Sequence, residues 1–177
     1  MNESDPGFRP IPRELHSEYE ERPFRSCTRC GESLHDYAGG YRISKVFRAG
    51  EVIFEYALCF DCLDNLMRES STESIQRLTR FQNERHRPGV EGIHECALCA
   101  TPREATAARE FALVAACLGA GLLQAHLICQ DCMEEMSALV SEKTRNEWNR
   151  FVDENFPGVP ADFLPEPAGA PSSPATL

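Results

Sequence analysis

The sequence predicts an α+β fold made of two small metal-binding units in tandem, and three observations support this prediction. Eight of the nine cysteines form four CxxC pairs. The inner cysteines of the first two pairs are separated by 28 residues, and those of the last two pairs by 29. Each interval contains two strand-like runs, and each second pair opens a segment with helical periodicity.

The two units are related by an offset of 70 residues. Under this offset YALCFDCLDNL (56–66) matches HLICQDCMEEM (126–136). Self-similarity of this kind marks repeated structural units. The chain accordingly divides into an N-terminal arm (1–26), a first unit (27–86), a linker (87–95), a second unit (96–156) and a tail (157–177) whose proline and alanine content predicts disorder.

Two eight-residue runs in the first unit predict a β-hairpin. YRISKVFR (41–48) and EVIFEYAL (51–58) flank a two-residue turn, Ala49-Gly50. If the last residue of the first run lies opposite the first residue of the second, one face of the hairpin is apolar and the other polar. The polar side chains of that register are Arg42, Ser44, Arg48, Glu51 and Glu55.

Helical periodicity begins after Cys59, where apolar side chains recur at intervals of three and four residues. Ser70-Ser71-Thr72-Glu73 interrupts the pattern and predicts a break between two helices. Ser70 or Ser71 is then the N-cap of the second helix, because a serine followed by an acidic residue is typical of a helix start.

The four CxxC pairs predict two tetrahedral metal sites. A hairpin that leaves one pair and returns beside it brings two pairs together, and four thiolates suit Zn²⁺ at about 2.3 Å per sulfur. Placing the second pair at a helix N-terminus also favours the thiolate form. A cross-braced arrangement, which joins the first pair to the third, remains open. The predicted ligand sets are Cys27, Cys30, Cys59 and Cys62, and Cys96, Cys99, Cys129 and Cys132.

We expect two zinc ions per chain, both structural. A unit of roughly 60 residues has a marginal apolar core, whereas a structural zinc ion contributes about 10–16 kcal/mol of apparent binding free energy to folding. Four sulfur ligands also leave no coordination position for a catalytic water. The sequence leaves open whether iron takes the place of zinc.

The order of a CxxC knuckle, a β-hairpin and a second CxxC in the first turn of a helix resembles the treble-clef zinc-finger fold group. The resemblance covers both units and implies zinc ligation at the eight cysteines named above. Treble clefs serve in nucleic-acid binding, in protein recognition and in a few enzymes. The resemblance therefore implies a fold and a metal, and no particular function.

The second hairpin differs from the first in being apolar on both faces. Positions that correspond to polar residues of the first hairpin hold Ala112, Val114, Leu118, Gly121 and Ala125. Both faces must be covered, so residues 111–128 are predicted to pack against the other unit, a second copy of the chain or a partner protein. The alanines of 105–118 leave a helix open as an alternative to a strand.

Composition and motifs favour a non-enzymatic module for protein interaction or regulation. The formal net charge of −10 disfavours nucleic acid as a partner, and no phosphate-binding glycine loop is present. A nucleic-acid-binding alternative would use Arg77, Arg80, Arg85 and Arg87. A second alternative is a zinc-linked thiol redox switch. The cysteine content and the acidic N-terminus indicate the cytoplasm, and no membrane segment is expected.

The remaining candidate residues have structural interpretations. Cys117 falls on the core face of the second hairpin, where a buried cysteine acts as a small apolar side chain. His126 replaces Tyr56 on that face. His35 and His94 are predicted to face solvent, because two full cysteine quartets leave no vacancy for a histidine ligand.

Overall fold

The computed structural model describes residues 8–85, 87 and 92–156. Its strands are β1 (Arg9–Pro10), β2 (Tyr41–Arg48), β3 (Glu51–Cys59), β4 (Gly92–Cys96), β5 (Glu110–Leu118) and β6 (Gly121–Cys129). Its helices are α1 (Phe60–Glu69), α2 (Thr72–Arg85), α3 (Arg103–Thr106), α4 (Gln130–Ser137) and α5 (Glu142–Asn155), and a 3-10 turn spans Arg13–Leu15. One sheet runs through both halves in the order β1-β6-β5-β2-β3, and β4 pairs in parallel with β6. The mixture of helices and a largely antiparallel sheet confirms the α+β class.

Both predicted hairpins form. In the first, Ala49 and Gly50 have φ values of 51° and 84°, which are the left-handed values that two-residue hairpin turns require. Arg48 pairs with Glu51, as predicted. In the second, the segment 105–118 is a strand from Glu110 onward, and the helical alternative is limited to the single turn of α3.

The predicted distribution of polar side chains over the first hairpin is wrong beyond its turn. A β-bulge directly after Val46 changes the register by one residue. The change moves Ser44 and Arg42 from the face of Glu55 to the face of Tyr56, because a slip of one residue exchanges the two faces of a strand. Both moved side chains are buried, so the first hairpin is also covered on each side.

The two hairpins join edge to edge through β2 and β5. These strands are antiparallel, and Ser44 pairs with Val114, the residue to which it corresponds under the 70-residue offset. The two halves are therefore related by an approximate twofold axis through this pair. Phe47 and Phe111 stack beside it with ring centroids 4.9 Å apart.

The apolar second hairpin is buried within the chain. Leu113 and Leu127 on one face and Ala112 on the other are fully buried. Leu123 is the large apolar side chain of this hairpin that stays exposed, at 39%. Of the coverings left open by the sequence, the structure shows packing within the chain. The prediction that residues 111–128 offer a surface to a partner or a second copy is corrected accordingly.

The last helix of the second half packs on the sheet of the first half. The rings of Trp148 and Phe151 in α5 lie 5.7 and 5.8 Å from the ring of Tyr56 in β3. In the opposite direction, Arg85 at the end of α2 forms an ion pair of 2.5 Å with Glu135 in α4. The last helix of the second half thus covers the first half, and the end of α2 reaches the second half.

Four hydroxyl side chains join the start of α2 to the start of α5. Ser71 caps α2 by accepting a hydrogen bond from the N–H of Ser74 at 3.1 Å, and Ser141 caps α5 by accepting from Thr144 at 3.3 Å. The backbone bonds then cross over: the N–H of Ser71 donates to Thr144 Oγ1 at 2.8 Å, and that of Ser141 to Ser74 Oγ at 2.7 Å. The predicted helix break is confirmed, with Ser71 as the cap.

Replacing Ser141 by alanine is expected to lower the free energy of unfolding by about 1–2 kcal/mol, because it removes the cap of α5 and the 2.9 Å hydrogen bond to Ser71. Urea unfolding followed by far-ultraviolet circular dichroism measures this change. Thr72→Ala is the control, since Thr72 is an exposed hydroxyl residue in the first turn of α2. A surface change of this kind costs less than about 0.5 kcal/mol. Equal losses in the two variants would contradict the prediction.

The N-terminal arm covers the sheet face opposite to the helices. Leu15 is fully buried there, and Lys45 of β2, which is 1% exposed, donates a hydrogen bond of 2.5 Å to the carbonyl of His16. The arm also supplies β1, which pairs with the start of β6. No helix in the described ranges is long and apolar enough to cross a membrane.

The tail expected to be disordered, 157–177, lies outside the described residues. Strand β4 begins at Gly92, inside the segment predicted as a linker, and it adds to the sheet beside β6.

Candidate metal centres

Two clusters of four sulfur atoms lie at corresponding places in the two halves. Within each cluster all four Sγ atoms are within 4.8 Å of one another. The Sγ atoms of Cys30 and Cys59 are 3.8 Å apart, and those of Cys99 and Cys129 are 3.5 Å apart. A tetrahedral zinc ion with bonds of about 2.3 Å requires sulfur–sulfur distances of about 3.8 Å. Each cluster can therefore hold a metal ion.

The structure brings together all eight predicted ligands, four in each half. We call Cys27, Cys30, Cys59 and Cys62 the first site, and Cys96, Cys99, Cys129 and Cys132 the second site. Because each site draws its ligands from one half, the cross-braced alternative is excluded. The other candidates lie outside both clusters: Cys117 and His126 are buried in the second hairpin, and His35 and His94 are exposed.

The first CxxC pair of each site lies in a tight backbone turn. The N–H of Gly31 donates to the carbonyl of Cys27, and that of Ala100 to the carbonyl of Cys96, both at 2.9 Å. The turn gives Gly31 a φ of 75° and Ala100 a φ of 66°. Glycine adopts this conformation freely and alanine at a cost of about 1–2 kcal/mol. The turn of the second site therefore carries a small backbone strain at Ala100.

The second CxxC pair of each site is positioned by a strand end and a helix start. Cys59 is the last residue of β3 and precedes α1, and Cys129 is the last residue of β6 and precedes α4. Their N–H groups donate to the Sγ atoms of Cys27 and Cys96, each at 3.4 Å. The positive end of the helix dipole lies beside the same sulfurs, so both features favour thiolates.

Burial and mutual repulsion separate the cysteine pKa values within each cluster. Burial, together with repulsion from Cys27, raises the pKa of Cys59 to about 11, and the equivalent causes raise the pKa of Cys129 to about 11. A hydrogen bond from Cys132 lowers the pKa of Cys96 to about 4. In the first cluster, against the effect of burial, hydrogen bonds from the backbone lower the pKa of Cys27. Each cluster thus has one cysteine with a lowered pKa, and a bound cation is what stabilises four thiolates. This donor set fits a thiophilic divalent ion such as Zn²⁺.

Two side chains contact sulfurs of the second site. Thr101 Oγ1 lies 3.1 Å from Cys99 Sγ, and the guanidinium of Arg85 donates to Cys132 Sγ at 3.9 Å. Both contacts compensate negative charge on the ligands. Sequence reasoning missed both contacts. Arg85 belongs to α2 of the first half, and only the folded structure shows that the end of this helix reaches the second site.

The first site differs at both corresponding positions. Glu32 stands where the second site has Thr101. Asn155 corresponds to Arg85, and its side-chain amide donates to the carbonyl of Phe151 at 2.7 Å. The sulfurs of the first site thus receive no hydrogen bond from either of these positions.

Substituting Arg85 by alanine is expected to speed the release of metal from the second site by about tenfold, because outer-shell partners contribute 10- to 100-fold to metal affinity. Competition with a coloured chelator, followed by alkylation and mass spectrometry of the freed cysteines, measures the release at each site. Arg80→Ala, on the exposed surface of the same helix, is the control. Unchanged release from the second site would contradict the prediction.

The arginines of the nucleic-acid alternative are largely engaged within the chain. Arg77 pairs with Glu73 at 2.5 Å, and Arg87 pairs with Glu95 at 3.4 Å. Arg85 is held by Glu135, as described above. Arg80, like Arg77, is exposed on the surface of α2.

Comparison of the chain with protein-family models, with curated proteins and with solved structures finds no match in any of the three. The two metal centres and the surface that the fold leaves open are therefore the features of the chain that bear on its function. On that basis the chain is a metal-binding module with two four-cysteine sites.

Proposed function

We propose that the protein is a non-enzymatic, cytoplasmic module that engages another protein and is held in shape by two structural zinc ions. Four sulfur ligands fill the coordination shell of each ion and leave no position for a catalytic water, so each ion has a structural role. All nine cysteines are free thiols in the structure, and thiols in this number suit a reducing compartment. Because the metal ions stabilise the fold, we expect the function to depend on residues at the protein surface.

The surface that supports this proposal is a groove of about 890 Å³ beside the outer edge of β3, which we call the β3-edge groove. Its apolar floor is formed by side chains of the arm, of β3 and of the residue after α5. Its rim is the arm turn at residues 17–20. The apolar lining residues are Phe24, Val52, Ile53, Phe54 and Phe156, and the acidic ones are Glu18, Glu20 and Glu55.

The observation that carries the proposal is Tyr19, which is 93% exposed on the rim of this groove. The turn that presents Tyr19 is fixed, because the Glu55 carboxylate accepts hydrogen bonds from the N–H groups of Glu18 at 3.0 Å and of Tyr19 at 3.3 Å. Tyrosine supplies a large contact area at low entropic cost and is enriched where interfaces gain most of their energy. A fixed, fully exposed tyrosine beside an apolar groove is thus suited to protein recognition.

A photo-crosslinking amino acid at position 19 tests the proposal. The zinc-loaded chain carrying it is expected to form a discrete protein adduct on irradiation in cells. The control carries the same amino acid at Leu123, the exposed apolar position on the far edge of the sheet. No adduct from position 19, or the same adducts from both positions, would contradict the proposed function. Recovery of nucleic acid in place of protein would favour the arginine-based alternative.

A zinc-linked redox switch is a second candidate, and one observation favours it. Cys30 and Cys99, one ligand in each site, are exposed, whereas the other ligands are buried. Exposed thiolates are the ones that peroxide oxidises. Mild hydrogen peroxide should then release both metal ions and leave disulfides within each quartet. Retention of the metal ions, with all eight ligand cysteines still unoxidised, would rule out the switch.

A further inference from the structure

The two outer edges of the sheet are covered to different extents. Strand β6, at one edge, pairs with β1 through Leu122 and Gly121 and with β4 through His126 and Leu127. Strand β3, at the opposite edge, occupies the corresponding place in the first half. Among the described residues, its outer edge receives one backbone hydrogen bond, from the N–H of Thr28 to the carbonyl of Ala57 at 2.8 Å.

The stretch from Glu51 to Glu55 is therefore an open strand edge within the part of the chain that the structure describes. The residues that correspond to Leu122 and Gly121 are Val52 and Glu51, and no described strand pairs with them from outside. Open edges are sites at which an extended segment of another chain adds as a further strand. The β3-edge groove lies directly beside this stretch.

The charge around this edge selects a basic occupant. Glu51 is exposed at the start of β3, and the Glu18 side chain is 75% exposed on the rim. Glu20 lies on the same rim and pairs with Arg22 at 3.0 Å, so Glu51 and Glu18 supply most of the attraction. The floor of the groove is apolar, so the two sides of an added strand would meet different surroundings. Since successive side chains of a strand point to opposite sides, the matching segment alternates basic and apolar residues.

The chain itself contains a partial example of such an occupant. At the β6 edge the added segment is Arg9–Pro10, in which a basic residue pairs with Leu122, the counterpart of Val52. Its neighbour Phe8 packs against Gly121 at that edge. The β3 edge has Glu51 where the β6 edge has this glycine, so a basic side chain suits it better than an aromatic one.

We propose that the β3-edge groove binds an extended segment of a partner protein, with alternating basic and apolar residues, which adds to β3 as a seventh strand of the sheet. This inference rests on the proposed function and names the class of partner. The tail of the chain is a poorer occupant, because 157–177 carries two carboxylates and no basic residue, and its prolines lack the N–H groups that a strand donates. A second copy paired through β3 would set glutamates against glutamates.

The test uses the zinc-loaded full chain and the peptide acetyl-RVRVRVR-amide, with binding followed by fluorescence anisotropy. Two control peptides separate charge from strand addition: EVEVEVE reverses the charge, and an RVRVRVR peptide with N-methylated backbone keeps the charge but cannot donate. Both controls are expected to bind at least about tenfold more weakly. Hydrogen exchange should slow at the amides among residues 52–55 that face away from β2 when RVRVRVR binds.

Protein variants locate the site. Glu51→Lys is expected to weaken binding of RVRVRVR by about fivefold, because it replaces an attraction by a repulsion. Glu84→Lys makes the same charge change on the exposed surface of α2 and should leave binding unchanged. Equal effects of the two variants, or equal binding of the N-methylated peptide, would overturn strand addition.

Three further outcomes would also overturn this proposal. Deletion of 157–177 that raises the affinity for RVRVRVR would identify the tail as the occupant of the groove. Concentration-dependent dimerisation that competes with the peptide would identify a second copy. A protein adduct at position 19 without protection of β3 would leave the proposed function standing and remove only the strand-addition mechanism, whereas loss of both results would remove both.

Discussion

Removal of the metal ions by a strong chelator is expected to unfold both halves of the chain in one transition. A structural zinc ion contributes about 10–16 kcal/mol of apparent free energy, which equals or exceeds the 5–15 kcal/mol by which a whole domain is stable. Each ion holds the turn of a knuckle against the end of a strand and the start of a helix. Without the ion, few other contacts hold these three elements together.

The loss should spread from one half to the other because the two halves share one sheet and the last helix of the second half packs on the first half. Strands β2 and β5 pair along their whole length, and α5 of the second half packs on β3 of the first. Trp148, the single tryptophan, belongs to α5 yet lies against Tyr56. Its fluorescence therefore reports on the folding of the first half from a helix of the second half.

Two single-site variants make this prediction testable. Cys62→Ser should shift the Trp148 emission toward that of an exposed tryptophan and abolish the near-ultraviolet circular dichroism, and Cys132→Ser should do the same. Cys117→Ala, a change at a buried cysteine outside both sites, should keep the native spectra. Native Trp148 emission in metal-free Cys62→Ser protein would contradict the expected coupling, as would separate transitions of the two halves.

The metal centres could be predicted because their information is local in the sequence. The CxxC spacing sets two sulfurs on one turn, and the hairpin length returns the second pair beside the first. The CxxC spacing and the hairpin length together bring four sulfurs into each of the two sites. Strand and helix bounds were likewise set by alternation, by the Ala49-Gly50 turn and by the cap at Ser71.

The covering of the sheet could not be predicted, because it depends on contacts between distant parts of the chain. A one-residue bulge beside Val46 reverses which face each polar residue of β2 takes, and nothing in the alternation pattern signals it. The arm is charged and rich in proline, yet Leu15 is fully buried on the sheet. The end of α2 brings Arg85 to the second site. Helical periodicity shows that a helix has an apolar face, but it does not show which strands that face covers.

Substituting Glu55 by alanine is expected to lower the free energy of unfolding by about 3–5 kcal/mol, since it leaves the buried Lys45 with only the exposed carboxylate of Glu18, 3.9 Å away. Lys45 is 1% exposed, and its Nζ lies 3.3 Å from Glu55 Oε2. The same carboxylate accepts a hydrogen bond from Ser17 Oγ at 2.8 Å. Urea unfolding measures the change, and Glu73→Ala, which breaks the exposed pair with Arg77, should cost less than about 1 kcal/mol.

The double variant Lys45→Met with Glu55→Leu separates the cost of an unpaired charge from the loss of the arm contacts. Replacing a buried ion pair by apolar side chains is often neutral or stabilising, so most of the lost stability should return. The hydrogen bonds that the N–H groups of Glu18 and Tyr19 donate to the Glu55 carboxylate do not return, because leucine cannot accept them. Hydrogen exchange at these two amides should therefore stay fast in the double variant. If Glu55→Ala costs no more than Glu73→Ala, the pair with Lys45 does not anchor the arm, and the fixed position of Tyr19 needs another cause.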